Sequence, residues 1–174
     1  MAETIPAWVD GRLVAVEKLE VHHRGLWHPA VSVFVMDGAR TLIQRRALGK
    51  YHTPGLWANA CCTHPRHGED PAACAARRLR EELGLGLVAL APLGRVAYAA
   101  PVGGGMVERE EVALFAAEVD SRIPVRPDPA EVMATRWITL GALRAEVAAY
   151  PEAFTPWLRI YLAGHAGRLL ARAA

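Results

Sequence analysis

A set of histidine and glutamate side chains in this sequence could bind a metal ion. The candidates are His22, His23, His28, His64, Glu108 and Glu110. Imidazole nitrogens combined with carboxylate oxygens suit a divalent cation such as Zn²⁺ or Mn²⁺. Glu108 and Glu110 lie two positions apart, so on a β-strand both carboxylates would face the same side. Each residue alone is more simply a surface charge or an ordinary histidine, and only the combination favours a metal site.

Cys62 is a candidate reactive thiol because it lies two residues before His64. A neighbouring histidine can lower the pKa of a thiol and so increase its reactivity. Cys61 has the same chemistry but would point elsewhere on an extended segment, and Cys74 falls in a predicted helix, where packing is the expected role. Most buried cysteines are inert, so the local sequence alone only suggests that Cys62 is reactive.

Basic residues close to this region could bind an anion. Arg45, Arg46 and Lys50 follow a predicted strand, and Arg46 with Lys50 could hold a phosphate from one side of a pocket. A basic run is more often only a solvated surface. If Glu82 held Mg²⁺ beside these cations, the cluster would suit a diphosphate.

The elements that must position these residues have recognisable signals. Residues 29–36 and 40–44 flank an Asp37-Gly38 turn and predict a hairpin, while residues 53–65 read as the loop that carries Cys62 and His64. Further strands are predicted near residues 94–99, 112–119 and 133–140, and further helices near 140–150 and 154–172, the last with Thr155 as N-cap and Pro156 in its first turn.

The clearest helix signal lies between an Asp70 N-cap with Pro71 in the first turn and Gly84 beyond the end. Helical spacing predicts a core stripe formed by Ala72, Ala76, Leu79 and Leu83. A different face carries Cys74, Arg78 and Glu82, so Arg78 and Glu82 are expected to point the same way.

The bulk composition predicts one globular α/β domain. The chain has 174 residues, 52% hydrophobic and 22% charged, which excludes a disordered or fibrous protein. A net charge of +2 does not indicate a nucleic-acid surface. Three cysteines provide no disulfide framework, and neither a leader peptide nor an apolar run of membrane-spanning length is evident. We therefore expect a cytoplasmic protein without nucleic-acid or membrane partners.

Taken together and in order, these residues resemble type 1 isopentenyl-diphosphate isomerases of the Nudix-like superfamily, along nearly the whole chain. The resemblance rests on Arg46-Ala-Leu-Gly-Lys50, Pro54-Gly-Leu-Trp57, Asn59-Ala-Cys-Cys-Thr-His-Pro65, Arg77-Arg-Leu-Arg-Glu-Glu-Leu-Gly84, Tyr98, Val107-Glu-Arg-Glu110 and Phe154-Thr-Pro-Trp157. It implies an α/β (α+β) fold, a Nudix-like mixed β-sheet sandwiched by helices, as a single domain over residues 1–174. It also implies conversion of isopentenyl diphosphate to dimethylallyl diphosphate through a tertiary carbocation, in isoprenoid biosynthesis, by a protein expected to be monomeric.

The resemblance implies a role for each site residue. Cys62 and Glu110 would transfer protons from opposite faces of the alkene, with Tyr98 assisting Glu110. The first metal site, for Mn²⁺ or Zn²⁺, would consist of His22, His28, His64, Glu108 and Glu110, with His22 preferred to the adjacent His23. Glu82 and the backbone of Cys62 would hold Mg²⁺ with the diphosphate, which would also contact Lys18, Arg46, Lys50 and Arg78. Trp157 would face the developing cation.

Two other functions remain open from the residues. A Nudix hydrolase would share the fold, but Thr63 stands at the opening glycine of the hydrolase signature and Arg78 replaces its first-half glutamate, although Glu81 and Glu82 fit its end. A metal-stabilised binding module would use the cysteines and histidines as structural ligands, yet the paired Cys-x₂-Cys spacing typical of such zinc sites is absent.

Overall fold

The computed structural model describes residues 3–86, 88–165 and 167. It has a mixed α+β architecture, as the sequence predicts. In chain order the elements are β1 (Thr4–Val9), β2 (Arg12–Glu17), α1 (Lys18–Arg24), β3 (His28–Asp37), β4 (Arg40–Arg46), β5 (Trp57–Asn59), β6 (Cys61–Thr63), α2 (Pro71–Leu83), β7 (Leu90–Gly103), β8 (Met106–Glu118), β9 (Val132–Thr139), α3 (Leu140–Ala149), a 3₁₀ turn (Pro151–Ala153) and α4 (Pro156–Gly164).

Seven of these strands form one mixed sheet, while β1 and β2 pair as a separate antiparallel hairpin. The main path runs β5-β4-β3-β8-β7, with β6 joined to β3 and β9 joined to β4. β3 and β8 are parallel, and the other pairs are antiparallel. β3 therefore lies at the centre of the sheet, next to the strand that carries Glu108 and Glu110.

Both faces of the sheet are buried, because β3 sends apolar side chains to each side in alternation. Val31, Val33 and Val35 belong to the core that also contains Leu79 and Leu83 of α2. The opposite core includes Phe34 and Met36 of β3, Leu143 of α3, and Trp157, Leu158 and Tyr161 of α4. The expected arrangement of a sheet between helices is thus confirmed.

Helix α2 begins and ends where the sequence predicts. The Asp70 carboxylate accepts hydrogen bonds from the backbone N–H groups of Ala72 and Ala73 at 2.9 and 3.0 Å. Gly84 ends the helix in a left-handed conformation with φ +67°. A Cβ at this position would lie 2.9 Å from the Cβ of Arg126. Both the backbone conformation and the close contact therefore require a glycine.

The predicted core stripe of α2 is partly wrong. Leu79 and Leu83 are buried as expected, but Ala76 is exposed and Ala72 only half-buried, whereas Cys74 and Ala75 are buried. Small alanines occupy most positions of the first two turns, so apolar spacing alone does not fix the rotation of the helix about its axis. The packing role expected for Cys74 is consistent with its burial.

The predicted loop at residues 53–65 is also partly wrong, since it contains β5 and β6. Strands of three residues carry too little periodicity to be recognised, and these exist because β4 and β3 offer them pairing partners. The predicted last helix begins as expected, with Thr155 at its N-cap, and α4 extends to Gly164. Its predicted residues 166 and 168–172 lie outside the described residues.

Within the part of the chain that the structure describes, no helix combines the length and apolar character needed to span a bilayer.

Candidate active site

Sheet register brings three of the predicted residues side by side. Glu110 of β8 is the register partner of His28 on β3 and of Tyr98 on β7. The Tyr98 hydroxyl oxygen lies 2.7 Å from Glu110 Oε2 and 2.8 Å from Glu108 Oε2. Both glutamates are buried, with relative exposures of 1% and 3%. The two-residue spacing has therefore placed both carboxylates on one face of β8, as the sequence predicts.

Cys62 reaches the same region from β6, which pairs with β3 so that Cys62 lies opposite Ser32. The side chain of Asn59 stabilises this segment: its Nδ2 donates to Ser32 Oγ at 2.8 Å and to the backbone oxygens of Val33 and Cys61 at 2.9 and 3.0 Å. Cys62 and Glu110 both line one cavity. The two residues proposed for proton transfer thus share a cavity.

Three histidines surround Glu110. His22 lies on α1 and is buried, whereas His23 is exposed. The Nδ1–H groups of His22 and His28 donate to backbone oxygens, of Lys18 at 2.7 Å and of Leu26 at 2.8 Å. Their Nε2 atoms are therefore the nitrogens available to a ligand, although the Tyr51 hydroxyl lies 3.4 Å from His22 Nε2.

The arrangement fits a divalent cation. One ligand atom from each of His22, His28, His64 and Glu110 lies within 4.8 Å of the others. Glu110 Oε1 is 3.1 Å from His64 Nε2 and 3.5 Å from His28 Nε2, and the latter nitrogen is buried without a hydrogen-bond partner. Backbone carbonyls that fix imidazole orientation are typical supports of metal-binding histidines. His22 rather than His23 faces this group.

The pKa values of the two carboxyl groups shift in opposite directions in the metal-free protein. Burial and the negative charge of Glu110 raise the pKa of Glu108 well above its usual value. Burial acts in the same direction on Glu110, but the neighbouring His28 and His64 imidazoles outweigh it and lower the pKa of Glu110. The single hydroxyl proton of Tyr98 cannot serve two anionic acceptors, so a protonated Glu108 completes the network. A bound divalent cation would favour ionisation of both groups.

The expectation that His64 lowers the thiol pKa of Cys62 is wrong for the metal-free protein. Burial raises the pKa of Cys62, and the charges of Glu110 and Glu108 add to this effect. His64 cannot oppose it, because burial keeps the imidazole neutral, with a pKa of about 3. Cys62 is therefore a thiol that can donate a proton, not a resting thiolate.

Charged residues line the same cavity. Those predicted to bind a diphosphate, Lys18, Arg46, Lys50 and Arg78, all lie on its wall, together with Glu82, Glu131 and Trp157. Glu82 is buried and accepts from Gln44 Nε2 at 3.0 Å and from the Arg78 guanidinium at 2.7 Å. The Arg46 guanidinium lies 5.3 Å from the centre of the Trp157 ring. The structure thus brings most of the predicted site residues to one cavity, and His22, His28 and Tyr98 lie next to Glu108 or Glu110 of its wall.

Sequence reasoning missed three other residues on this wall, Tyr51, His52 and Glu131. Glu131 forms ion pairs with Lys50 and, at 3.3 Å, with Arg78, so it links two of the cations. Tyr51 lies with its ring 5.0 Å from Lys18 Nζ. Tyr51 and His52 directly follow Lys50 in the sequence. Their position next to a predicted anion-binding residue could have indicated that they belong to the site.

We expect acid to destabilise the metal-free protein. The imidazoles of His52 and His64 are 4% and 7% exposed, and burial lowers their pKa to about 2 and about 3. Below the unfolded pKa of about 6.5 the unfolded chain binds protons that the folded protein does not. Each histidine therefore lowers the free energy of unfolding by up to ~1.4 kcal/mol for each unit by which the pH falls.

Burial lowers the pKa of His22 as well and so adds to the loss, whereas the raised pKa of Glu108 acts oppositely, because the folded state then binds the extra proton. We expect a net loss of about 1–2 kcal/mol between pH 7 and pH 5. Urea unfolding with excess chelator at both pH values measures it, and a protein that became more stable on acidification would contradict these protonation states.

Comparison with known proteins agrees with this geometry. The family model described as NUDIX domain matches residues 26–158. Proteins named isopentenyl-diphosphate Delta-isomerase from Cereibacter sphaeroides (strain KD131) and Dinoroseobacter shibae are 60% and 56% identical, over 99% and 100% of this chain and 97% and 99% of theirs.

Solved structures agree on the fold. A Deinococcus radiodurans protein superposes with a TM-score of 0.74 at 17% identity, over 92% of this chain and 98% of its own. A MutT NUDIX hydrolase from Burkholderia pseudomallei gives 0.62 at 21% identity, over 80% of this chain and 98% of its own. At these identities the likeness concerns the fold alone. The chain belongs to the Nudix family and, within it, to the isopentenyl-diphosphate Delta-isomerases.

Proposed function

We propose that this protein converts isopentenyl diphosphate to dimethylallyl diphosphate by adding one proton and removing another. The relatives' shared name supplies the reaction. The observation that carries the mechanism is the shared cavity: Cys62 and Glu110, two proton-transfer groups, line the same space as four cationic side chains. A substrate with an anionic head and a short alkene tail matches this combination of cations and proton-transfer groups. The product would feed isoprenoid biosynthesis.

The reaction adds one proton and removes another, so it requires two positioned groups. One group adds a proton to the terminal alkene carbon, which gives a tertiary carbocation, and the other removes a proton from the neighbouring methylene. We propose Cys62 and Glu110 as this pair, on opposite faces of the alkene. Tyr98 holds the Glu110 carboxylate by a hydrogen bond and so fixes its direction. Positioned acid and base groups each contribute about 10²- to 10⁴-fold to the rate.

The carbocation needs protection from water and a favourable electrostatic surface. Trp157 lies on the cavity wall and is itself buried, with a relative exposure of 1%. The negative face of an indole ring attracts positive charge, and exclusion of water prevents capture of the intermediate. Trp157 therefore suits the wall around the alkene end of the substrate, and we propose that Tyr98, bonded to Glu110, lies next to the same end.

We propose that Mn²⁺ or Zn²⁺ binds between the three histidines, Glu108 and Glu110, and that Mg²⁺ binds with the diphosphate at Glu82 and the backbone of Cys62. The mixed nitrogen and oxygen donors suit the former ions, and an oxygen-rich site suits Mg²⁺. When bound, such ions favour ionised carboxylates and neutralise the charge of the diphosphate. Lys18, Arg46, Lys50 and Arg78 would hold the same diphosphate.

The proposed site needs no second chain, since its residues line this cavity or lie next to Glu108 or Glu110 of its wall, and we expect a monomer. A cytoplasmic location fits three cysteines that all occur as free thiols.

Incubation with isopentenyl diphosphate and Mg²⁺ in deuterated water tests the reaction. We expect dimethylallyl diphosphate with deuterium in a methyl group, because the added proton comes from a side chain that exchanges with solvent. Mass spectrometry and NMR of the product measure both.

A phosphate-release assay with nucleoside diphosphate derivatives distinguishes the rival hydrolase. Release without an allylic product would overturn the proposed isomerisation. Arg78 disfavours hydrolysis, because it occupies a position at which the hydrolase signature has a glutamate. It forms an ion pair with Glu82 instead.

A further inference from the structure

His52 is a buried histidine on the cavity wall to which the proposed reaction gives no role. It lies in the segment between β4 and β5, and its side chain is only 4% exposed. Its ring centre is 5.5 Å from that of His22 and 5.7 Å from the ring of Trp157. Burial of a polar ring at this point is costly unless its nitrogens find partners.

The ring is held in one orientation by its neighbour. His52 Nδ1 lies 3.1 Å from Thr53 Oγ1, and Thr53 adopts a left-handed backbone conformation with φ +46°. A β-branched residue rarely adopts this conformation, so the surrounding structure must enforce it. The same pattern supports His22 and His28, whose Nδ1 atoms are also fixed by neighbouring oxygens. In all three histidines Nε2 is the atom left to bind a ligand.

The Nε2 atom of His52 has no hydrogen-bond partner and is buried. It lies 3.3 Å from Glu108 Oε1, without the geometry of a hydrogen bond. One ligand atom from each of His22, His52 and Glu108 lies within 4.8 Å of the others. Because the Nδ1 atom of His22 is occupied, the same Nε2 atom must serve this group and the group around Glu110.

We propose that His52 is a further ligand of the metal site, beside Glu108. The two groups share His22, and the proposal joins them into a single site. That site then offers four imidazoles and two carboxylates. This inference rests on the metal site of the proposed function but not on the isomerisation itself.

An additional imidazole has a predictable consequence for ion selectivity. Nitrogen donors favour Co²⁺ and Zn²⁺ over Mg²⁺, which prefers oxygen. The replacement of His52 should therefore weaken binding of Co²⁺ and Zn²⁺ far more than binding of Mg²⁺.

The test compares His52→Ala with His23→Ala, a matched control at an exposed histidine beside His22. Each protein is stripped of metal and titrated with Co²⁺ by absorption and with Zn²⁺ by calorimetry. We expect His52→Ala to weaken both by about tenfold or more, by analogy with the 10- to 100-fold losses seen for supporting residues of metal sites. We expect His23→Ala to bind as the wild type does. Free imidazole, filling the space left by the removed side chain, should restore the Co²⁺ spectrum of His52→Ala.

Wild-type protein with ¹⁵N-labelled histidine gives a second measurement that does not depend on the variant folding. Addition of Zn²⁺ should shift the Nε2 resonances of four histidines. Unchanged affinity in His52→Ala, or shifts at only three histidines, would overturn the proposal. If four histidines bind Zn²⁺ but no dimethylallyl diphosphate forms, the isomerase reaction fails while the role of His52 stands.

Discussion

Cys62→Ala is expected to lower kcat by about 10⁴-fold and leave the protein folded. The variant removes one of the two groups that must exchange a proton with the substrate, and a positioned acid or base contributes up to about this factor. The methyl group of alanine has no exchangeable proton. Cys62 lines the cavity and is half-buried against the core that contains Trp157, so the removal of one sulfur atom should cost little stability. Formation of dimethylallyl diphosphate measures kcat, and thermal unfolding followed by circular dichroism measures stability.

Cys74→Ala is the matched control for that variant. Cys74 is fully buried on α2 against the sheet and does not line the cavity. Its replacement should leave kcat near the wild-type value while lowering the free energy of unfolding by about 1 kcal/mol, as expected for a small cavity in the core. Normal turnover in Cys62→Ala would remove Cys62 from the mechanism.

Glu110→Gln is expected to cause the second large loss. The amide cannot accept the substrate proton, and it loses the charge that holds His28 and His64. We therefore expect kcat to fall by about 10⁴-fold and the affinity for Zn²⁺ to fall by about tenfold or more. Calorimetry with Zn²⁺ and turnover at saturating metal separate the two effects, because a loss caused only by missing metal would disappear at saturation.

Glu111→Gln provides a control one position along the same strand. Its side chain alternates to the opposite face of β8, is 44% exposed and lies 3.6 Å from Arg95. Turnover and metal affinity should both match the wild type. If Glu110→Gln retained turnover at saturating metal, Glu110 could be a ligand but not a proton-transfer group.

The sequence by itself determined the elements whose signals are local. The limits of α2 follow from Asp70 and Gly84, since each is set by the backbone conformation of one residue and by hydrogen bonds to neighbours in the chain. The common direction of Glu108 and Glu110 follows from strand geometry. Motifs such as Asn59-Ala-Cys-Cys-Thr-His-Pro65 identified the candidate site because their order resembles one family.

Only the tertiary structure decided how these parts meet. The register that places Glu110 between His28 and Tyr98 depends on pairing between strands far apart in the chain. The choice of His22 over His23 depends on which face of α1 is buried, and His52 became visible only when the segment before β5 was placed beside Glu108. The raised pKa of Cys62 depends on burial and on two carboxylates from another strand. Such long-range contacts and desolvation are properties of the assembled fold, and no local stretch of sequence encodes them alone.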